Sequence, residues 1–399
     1  MAAGEPGEHR ELRVAAAGLA LDYLDPCNCG GQNAGGLARR AALVAELRRA
    51  WPGLVLLDVG DLGQDAQRLP VITRSLSAIG TDALALGSSD LDRWDRLAPA
   101  LFAVGVAATS VTPLAGVGPQ VAPPPRSLSV GPLDGPRLGV VAVAWGAWTR
   151  AQMIEATRAE LERLRQGRAD YVALVAHLSR TDAERLVDGL GDGAQPDLLL
   201  QATDDDAPRP AFLRGRVTWV PVAHKGRSLS LITLRLDRPP QVEQKLVAEG
   251  PRDPVVQGWV DAYFRDVRTG ETRPATTVPA SFPRVAQCLP CHEQAVKAWR
   301  AHPHARAVET IEARQRDVAG CLRCHDERLR RDGYRSEPGD RGVECASCHD
   351  GLAEHVRAKG KATKPATNHC ETCHAKEHSP KWDFGVYVAS VVRACRSGK

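Results

Sequence analysis

The chain has 399 residues, a formal net charge of +4, and 43% hydrophobic and 25% charged residues. That composition belongs to a globular protein and excludes a disordered or collagen-like chain. The weak positive charge gives no ground for nucleic-acid binding, although it suits docking to an acidic redox partner. The length predicts two domains, and no stretch approaches the roughly 20 consecutive apolar residues that a membrane-spanning helix needs.

At the N-terminus, Glu5, Glu8 and Glu11 stand where a signal peptide would carry basic residues, so no signal sequence is evident. The apolar run after Arg13 is cut by Asp22 and reads as a strand. Further strands are predicted over Leu54–Val59, Ala83–Leu86, Leu138–Ala144, Tyr171–Leu178, Leu198–Gln201, Val217–Val222 and Leu229–Leu236. Helices are predicted over Leu37–Ala50, Pro70–Ile79 and Ala151–Arg165, the last with Glu and Arg at helical spacing. Short apolar strands between helices predict an α/β layered domain over residues 1–240. The Pro- and Gly-rich stretch Pro113–Pro136 reads as a long surface loop within it.

Several polar residues sit at predicted strand ends, where α/β folds place ligand groups. Asp58, Gly60 and Asp61 close one strand, Gly87-Ser88-Ser89-Asp90 follows another, and His177 ends a third. A capped turn is the bland alternative for each. Residues 241–280, rich in Pro, Gly and charge and interrupted by a helix at Val255–Val267, read as an interdomain linker.

Residues 281–399 hold most of the eleven cysteines. Four segments repeat one pattern: Cys288-x-x-Cys291-His292, Cys321-x-x-Cys324-His325, Cys345-x-x-Cys348-His349 and Cys370-x-x-Cys373-His374. Cysteines three apart and a histidine one further share one face of a helical turn. Both thiols can then reach the vinyl groups of one porphyrin, with the imidazole beneath the iron. Zinc sites use paired C-x-x-C too, but do not demand a histidine directly after every second cysteine. Four covalently bound haem c groups are therefore expected. They would be packed so closely that they supply most of the domain core. His302, His304, His355, His369 and His378 could provide sixth ligands. An iron closed by two histidines favours electron transfer, an open one catalysis. Haem attachment of this kind implies export, so a periplasmic or extracellular location is expected.

Two resemblances follow from these residues. The C-terminal region resembles the cytochrome c-554/hydroxylamine-oxidoreductase class of multihaem cytochromes across about residues 281–395. The match runs through Trp299-Arg-Ala-His302-Pro303-His304-Ala-Arg-Ala, Gly342-Val-Glu-Cys345…His355 and the stretch Glu377–Phe384. It implies distal ligation by His304 and His355, with His302 in place of a small hydroxyl residue. The N-terminal region resembles the metallophosphoesterase superfamily near its 5′-nucleotidase branch, through Gly35-Gly36…Arg40, Gly60-Asp61, the turn at Gly87 and Val175-Ala176-His177. That class hydrolyses phosphate esters with two metal ions. Here the first metal block reads Asp22-Tyr-Leu24, the Asn-His pair is replaced by Ser88-Ser89, and the last block reads Gln201-Ala-Thr-Asp204. Asp61 and His177 match; Asp22 and His224 match only loosely. Cys27 and Cys29 fall in the loop of the first block. They could form a thiolate metal site with Asp61 and His177, a redox pair, or a structural disulfide.

The expected function is electron transfer between redox partner proteins by an exported tetrahaem cytochrome whose N-terminal domain has lost hydrolysis. A multihaem redox enzyme acting on a small nitrogen or sulfur compound, and an active phosphoesterase fused to a cytochrome, are the alternatives.

Overall fold

The computed structural model describes residues 11–26, 33–114, 121–205, 207–271, 273–274, 279–313, 316–336, 341–359, 367–375, 379 and 382–396. It divides into two compact units, with the chain passing from one to the other between Val260 and Asp261.

The N-terminal unit contains two six-stranded sheets. One has the order β12 (Arg238–Leu246), β11 (Ser228–Arg235), β1 (Glu11–Ala17), β2 (Val55–Asp58), β3 (Ala83–Ala85), β4 (Ala108–Thr109). The other runs β5 (Leu128–Val130), β6 (Leu138–Ala144), β7 (Tyr171–His177), β8 (Leu198–Ala202), β10 (Val217–Val222), β9 (Phe212–Arg214). In the first sheet β1 to β4 pair in parallel and β11 and β12 join antiparallel; in the second β6, β7, β8 and β10 pair in parallel and the edge strands β5 and β9 antiparallel. Val14, Leu57 and Ala85 from the first sheet pack with Val140, Val175, Leu200 and Val220 from the second. The outer face of the second sheet is covered by α5 (Arg150–Gln166) and α6 (Arg180–Leu190) through Met153, Leu161, Leu164 and Leu186. Helices α1 (Leu37–Ala50), α2 (Leu69–Ile79) and α4 (Trp94–Val104), the last preceded by the short α3 (Ser88–Leu91), bury Val44, Leu47, Ile72, Leu76 and Leu97 in the same unit. Strands buried on both faces read as unbroken apolar runs, which is why β6 and β7 were legible without alternation.

Some boundaries differ from expectation. The first strand stops at Ala17 rather than Leu21. From Gly18 the backbone leaves the extended region, and Leu19, Leu21 and Asp22 take positive φ of 52°, 47° and 66°. Their N–H groups bond the Gly60, Asp61 and Leu62 carbonyls of the neighbouring loop. The stretch expected as a loop from Pro113 contains the edge strand β5. Residues 241–280 include the end of β12 and helix α7 (Pro254–Glu271). Helix α6, not anticipated, starts from a Ser179 side chain that accepts the Asp182 N–H, a sequence-readable cap. Helix α4 carries Pro99 in its interior, which hid it.

The C-terminal unit is helical with loops. Its elements include β13 (Arg273–Pro274), α8 (Val285–Ala301), a 3-10 turn (Pro303–Arg306), α9 (Ala307–Glu312), α10 (Ala319–His325) and α11 (Glu327–Asp332). There follow β14 (Tyr334–Arg335), α12 (Cys345–Cys348), α13 (Leu352–Ala358), α14 (Thr367–Glu371) and α15 (Phe384–Arg396). No described helix is long and apolar enough to cross a membrane.

Candidate functional sites

In the N-terminal unit the loop after β2 turns through Gly60, φ 78°, and Asp61, φ 49°. A Cβ on Gly60 would sit 2.1 Å from the Ala85 carbonyl oxygen, so only glycine fits this turn. The Asp61 carboxylate lies against Gly87, where a Cβ would come within 2.2 Å of it. His177, at the end of β7, donates or accepts through Nδ1 to Asp61 Oδ2 at 2.9 Å, and Ser89 Oγ–H donates to Asp61 Oδ1 at 2.7 Å. Burial alone would raise the Asp61 pKa, but the His177 bond and charge bring it below the ordinary carboxylate value. Burial alone would lower that of His177, and Asp61 reverses this, raising it above the ordinary imidazole value.

Three other acidic groups nearby are engaged by loop N–H groups or by an arginine. Asp90 accepts the N–H groups of Asp61, Leu62 and Gly87 at 2.7–3.1 Å. Burial, then the Asp61 charge, pushes its pKa up to about 6. Asp22 accepts from the N–H groups of Gln64 and Asp65 at 2.6 and 3.0 Å. Asp58 pairs with Arg40 at 2.8 Å, both side chains 2% exposed. A cavity of about 370 Å³ opens beside Asp61 and His177, lined also by Trp145, Thr203, Asp204 and His224. The His177 Nε2 is buried with no hydrogen-bond partner.

A two-metal hydrolytic centre does not fit these residues. It needs a cage of several free donors. Asp61 and His177 come together as the sequence suggested, but they neutralise each other, and Asp22 and Asp90 hold loop N–H groups instead. No cluster of three or more His, Cys, Asp or Glu side chains among the described residues can hold a metal ion. Cys27 and Cys29 lie outside the described residues.

In the C-terminal unit each cysteine motif occupies a helical turn. Cys288, Cys291 and His292 lie in α8, which kinks at His292. Cys321, Cys324 and His325 end α10; Cys345 and Cys348 bound α12, with His349 as its C-cap; Cys370 lies in α14. A buried polar frame ties the motifs together. Arg284, before α8, donates to Glu344, which precedes the third motif, at 2.9 Å. The Trp299 indole N–H donates to the Val343 carbonyl at 2.8 Å, and Val343 N–H to the His304 carbonyl at 3.0 Å. Gly342, φ 128°, lets these segments approach, since a Cβ there would lie 2.5 Å from the His304 carbonyl oxygen. Glu327, after the second motif, accepts from Ser347 Oγ in the third at 2.6 Å.

The imidazoles then meet in pairs. The His292 and His355 rings have centroids 5.8 Å apart, and those of His304 and His374 are 6.1 Å apart. Two imidazoles bonded at about 2 Å to opposite sides of one metal ion have centroids about 6 Å apart. His302 lies 4.8 Å from His304, and its Nδ1 accepts the His304 N–H, a capping role. Burial pushes His304 down to about 4, so it is neutral and its lone pair is available. His325 Nδ1 donates to the Ala307 carbonyl at 2.7 Å, leaving Nε2 as its ligating atom. His369 Nε2 lies 3.2 Å from Asp350 Oδ2. The Cys324 and Cys373 thiols, from different motifs, hydrogen-bond each other; this lowers Cys373 to about 6 and raises Cys324. His378 lies outside the described residues.

These residues fit haem better than a bare metal ion. The porphyrin already supplies four donors to its iron, so the chain needs to add only two per group. Two imidazole pairs at this separation, with His304 neutral by burial, are that complement.

Residues 287–350, which span the first three cysteine motifs, match the family model described as cytochrome c554 and c-prime. A family of that kind implies covalently bound haem c. Among solved structures the chain is similar to the 5′-nucleotidase precursor from Thermus thermophilus, with a TM-score of 0.54 and 17% identity over 66% of this chain and 61% of that one. It is similar also to the sulfate thiohydrolase SoxB from the same organism, with a TM-score of 0.52 and 16% identity over 68% and 63% of the two chains. A putative 5′-nucleotidase from Staphylococcus aureus gives a TM-score of 0.51 and 12% identity over 76% and 66%. The chain thus spans less than two thirds of the length of these structures, and the likeness is one of fold. No curated protein matches the chain. The chain joins an α/β fold like that of the 5′-nucleotidase precursor to a C-terminal segment that matches the cytochrome c554 and c-prime model.

Proposed function

We propose that the chain is an exported tetrahaem c-type cytochrome that passes electrons between redox partner proteins. Cys288 and Cys291, Cys321 and Cys324, Cys345 and Cys348, and Cys370 and Cys373 attach the four haems, with His292, His325, His349 and His374 as proximal ligands. His355 closes the iron held by His292, and His304 closes the iron held by His374. The observation that carries this reading is the pairing of those imidazoles at 5.8 and 6.1 Å, each pair joining one motif histidine to one spare histidine. The bound haems supply reversible one-electron chemistry; the chain holds them close and, at the two paired irons, closed to substrate.

The N-terminal unit keeps the phosphoesterase fold without its hydrolytic chemistry, because Asp61 and His177 are bound to each other and the other acids support loops. In the proposed organisation residues 1–240 form that domain, 241–280 connect, and 281–399 carry the haems. The test is the electron paramagnetic resonance spectrum of the haem-loaded protein. Low-spin ferric signals that nitrite leaves unchanged, and a reduced optical spectrum that carbon monoxide leaves unchanged, are expected from the two paired haems. A high-spin signal assigned to either would overturn the pairing. One at another haem would favour the redox-enzyme reading instead. The same preparation, given manganese or zinc, is expected to leave phosphate esters intact, and turnover would restore the hydrolase reading.

A further inference from the structure

The imidazole of His374 is held on two sides by residues that follow it in the chain. Its Nδ1 lies 3.0 Å from Ser379 Oγ. The Trp382 ring lies parallel to it, with centroids 4.1 Å apart and planes 9° from parallel. Tyr387, in α15, stacks on Trp382 in turn at 5.2 Å and 27°. Local backbone bonds shape this return: Ser379 N–H donates to the Ala375 carbonyl at 2.8 Å, and Trp382 N–H to the Ser379 carbonyl at 2.9 Å. The motif histidine His325 is anchored differently, on the Ala307 backbone carbonyl.

We propose that Ser379 and Trp382 are positioning residues that lower the reduction potential of the haem held by His374. The inference rests on the haem reading above, in which the iron takes His374 Nε2. With Nε2 committed, Nδ1 carries the proton and donates it to Ser379 Oγ. Drawing that proton toward oxygen leaves the ring more electron-rich and a better donor to ferric iron. The Trp382 face presents its negative quadrupole to an imidazole that shares positive charge from the metal. Both effects favour the oxidised state, so both hold the potential down. The stack onto Tyr387, 45% exposed, extends the aromatic contact from His374 toward solvent.

The experiment is a redox titration of the haem-loaded full chain, followed optically and by electron paramagnetic resonance. Ser379→Ala and Trp382→Leu should each raise the midpoint of one haem and alter its low-spin signal, while the other midpoints hold. Ser379→Thr and Trp382→Phe, which keep the hydroxyl and the aromatic face, should return the midpoint toward the native value. Full haem content with every midpoint unchanged in Ser379→Ala and Trp382→Leu overturns the proposal, as does a fall in midpoint. Should Trp382→Leu shed haem, Ser379→Ala decides, because it removes a single oxygen. Failure of the underlying reading looks different: an intact mass of the native protein without a haem on Cys370 and Cys373 overturns the ligation by His374, and the tuning with it.

Discussion

In the N-terminal unit Leu57, Val140, Val175 and Leu200 are at most 1% exposed between two sheets, with a second apolar layer under α5 and α6. In the C-terminal unit the described apolar clusters come down to Val308, Ile311, Leu322 and Leu329 in one place, and Phe282, Ala346 and Leu352 in another. What the second unit has instead is a buried polar frame, with Asp326, Glu327 and Glu344 each at most 3% exposed. Buried carboxylates are costly unless paired and hydrogen-bonded, and they hold a geometry more than they drive collapse. The first unit is organised around side chains alone. The second has the layout of a domain whose centre is filled by something the chain binds.

The sharpest way to break that contrast is to withhold haem. Substituting the eight motif cysteines by alanine should leave the C-terminal unit without cooperative structure, while the N-terminal unit still melts as one transition. Calorimetry and limited proteolysis read this directly, and a proteolytically stable C-terminal unit without haem would refute it. A smaller effect comes from the opposite side. Leu57→Ala should cost the N-terminal unit about 2–5 kcal/mol, as buried leucine truncations do. Chemical denaturation would show its transition moving while the haem spectrum keeps its native midpoint. Smallest is the effect of pH through Asp90. Its folded pKa is raised from 3.8 to about 6 by burial and by Asp61. The proton is therefore bound more tightly when folded, so this contribution is fully present below the unfolded pKa and is lost as pH rises through about 6. Asp90→Asn should flatten the stability of the N-terminal unit across that window. Equal slopes in the two proteins would exclude Asp90 as the titrating group.

The two units also differed in what their sequences revealed. Repetition made the four cysteine–histidine motifs visible at once, because a fixed spacing is read from the sequence and does not depend on packing. The β/α alternation of the first unit was legible because buried parallel strands leave unbroken apolar runs. The pairing of His292 with His355 and of His304 with His374 was not legible, since each pair joins residues far apart in the chain. Nor was the commitment of Asp22 and Asp90 to loop N–H groups. Asp22 matched a metal block only loosely, and only the fold brings the Gln64 and Asp65 N–H groups to Asp22 and those of Asp61, Leu62 and Gly87 to Asp90. Trp382 and Ser379 carried no signal beyond their place after the last motif.

The Arg284–Glu344 pair has a consequence for biogenesis. Its two ends stand 60 residues apart, one just before the first cysteine motif and one just before the third. A polypeptide emerging N-terminus first displays Arg284 and the first motif long before Glu344 exists to meet them. Until Glu344 follows, the turn that opens α8 lacks its buried carboxylate partner. The start of α8 is thus fixed by a stretch of chain made 60 residues after it.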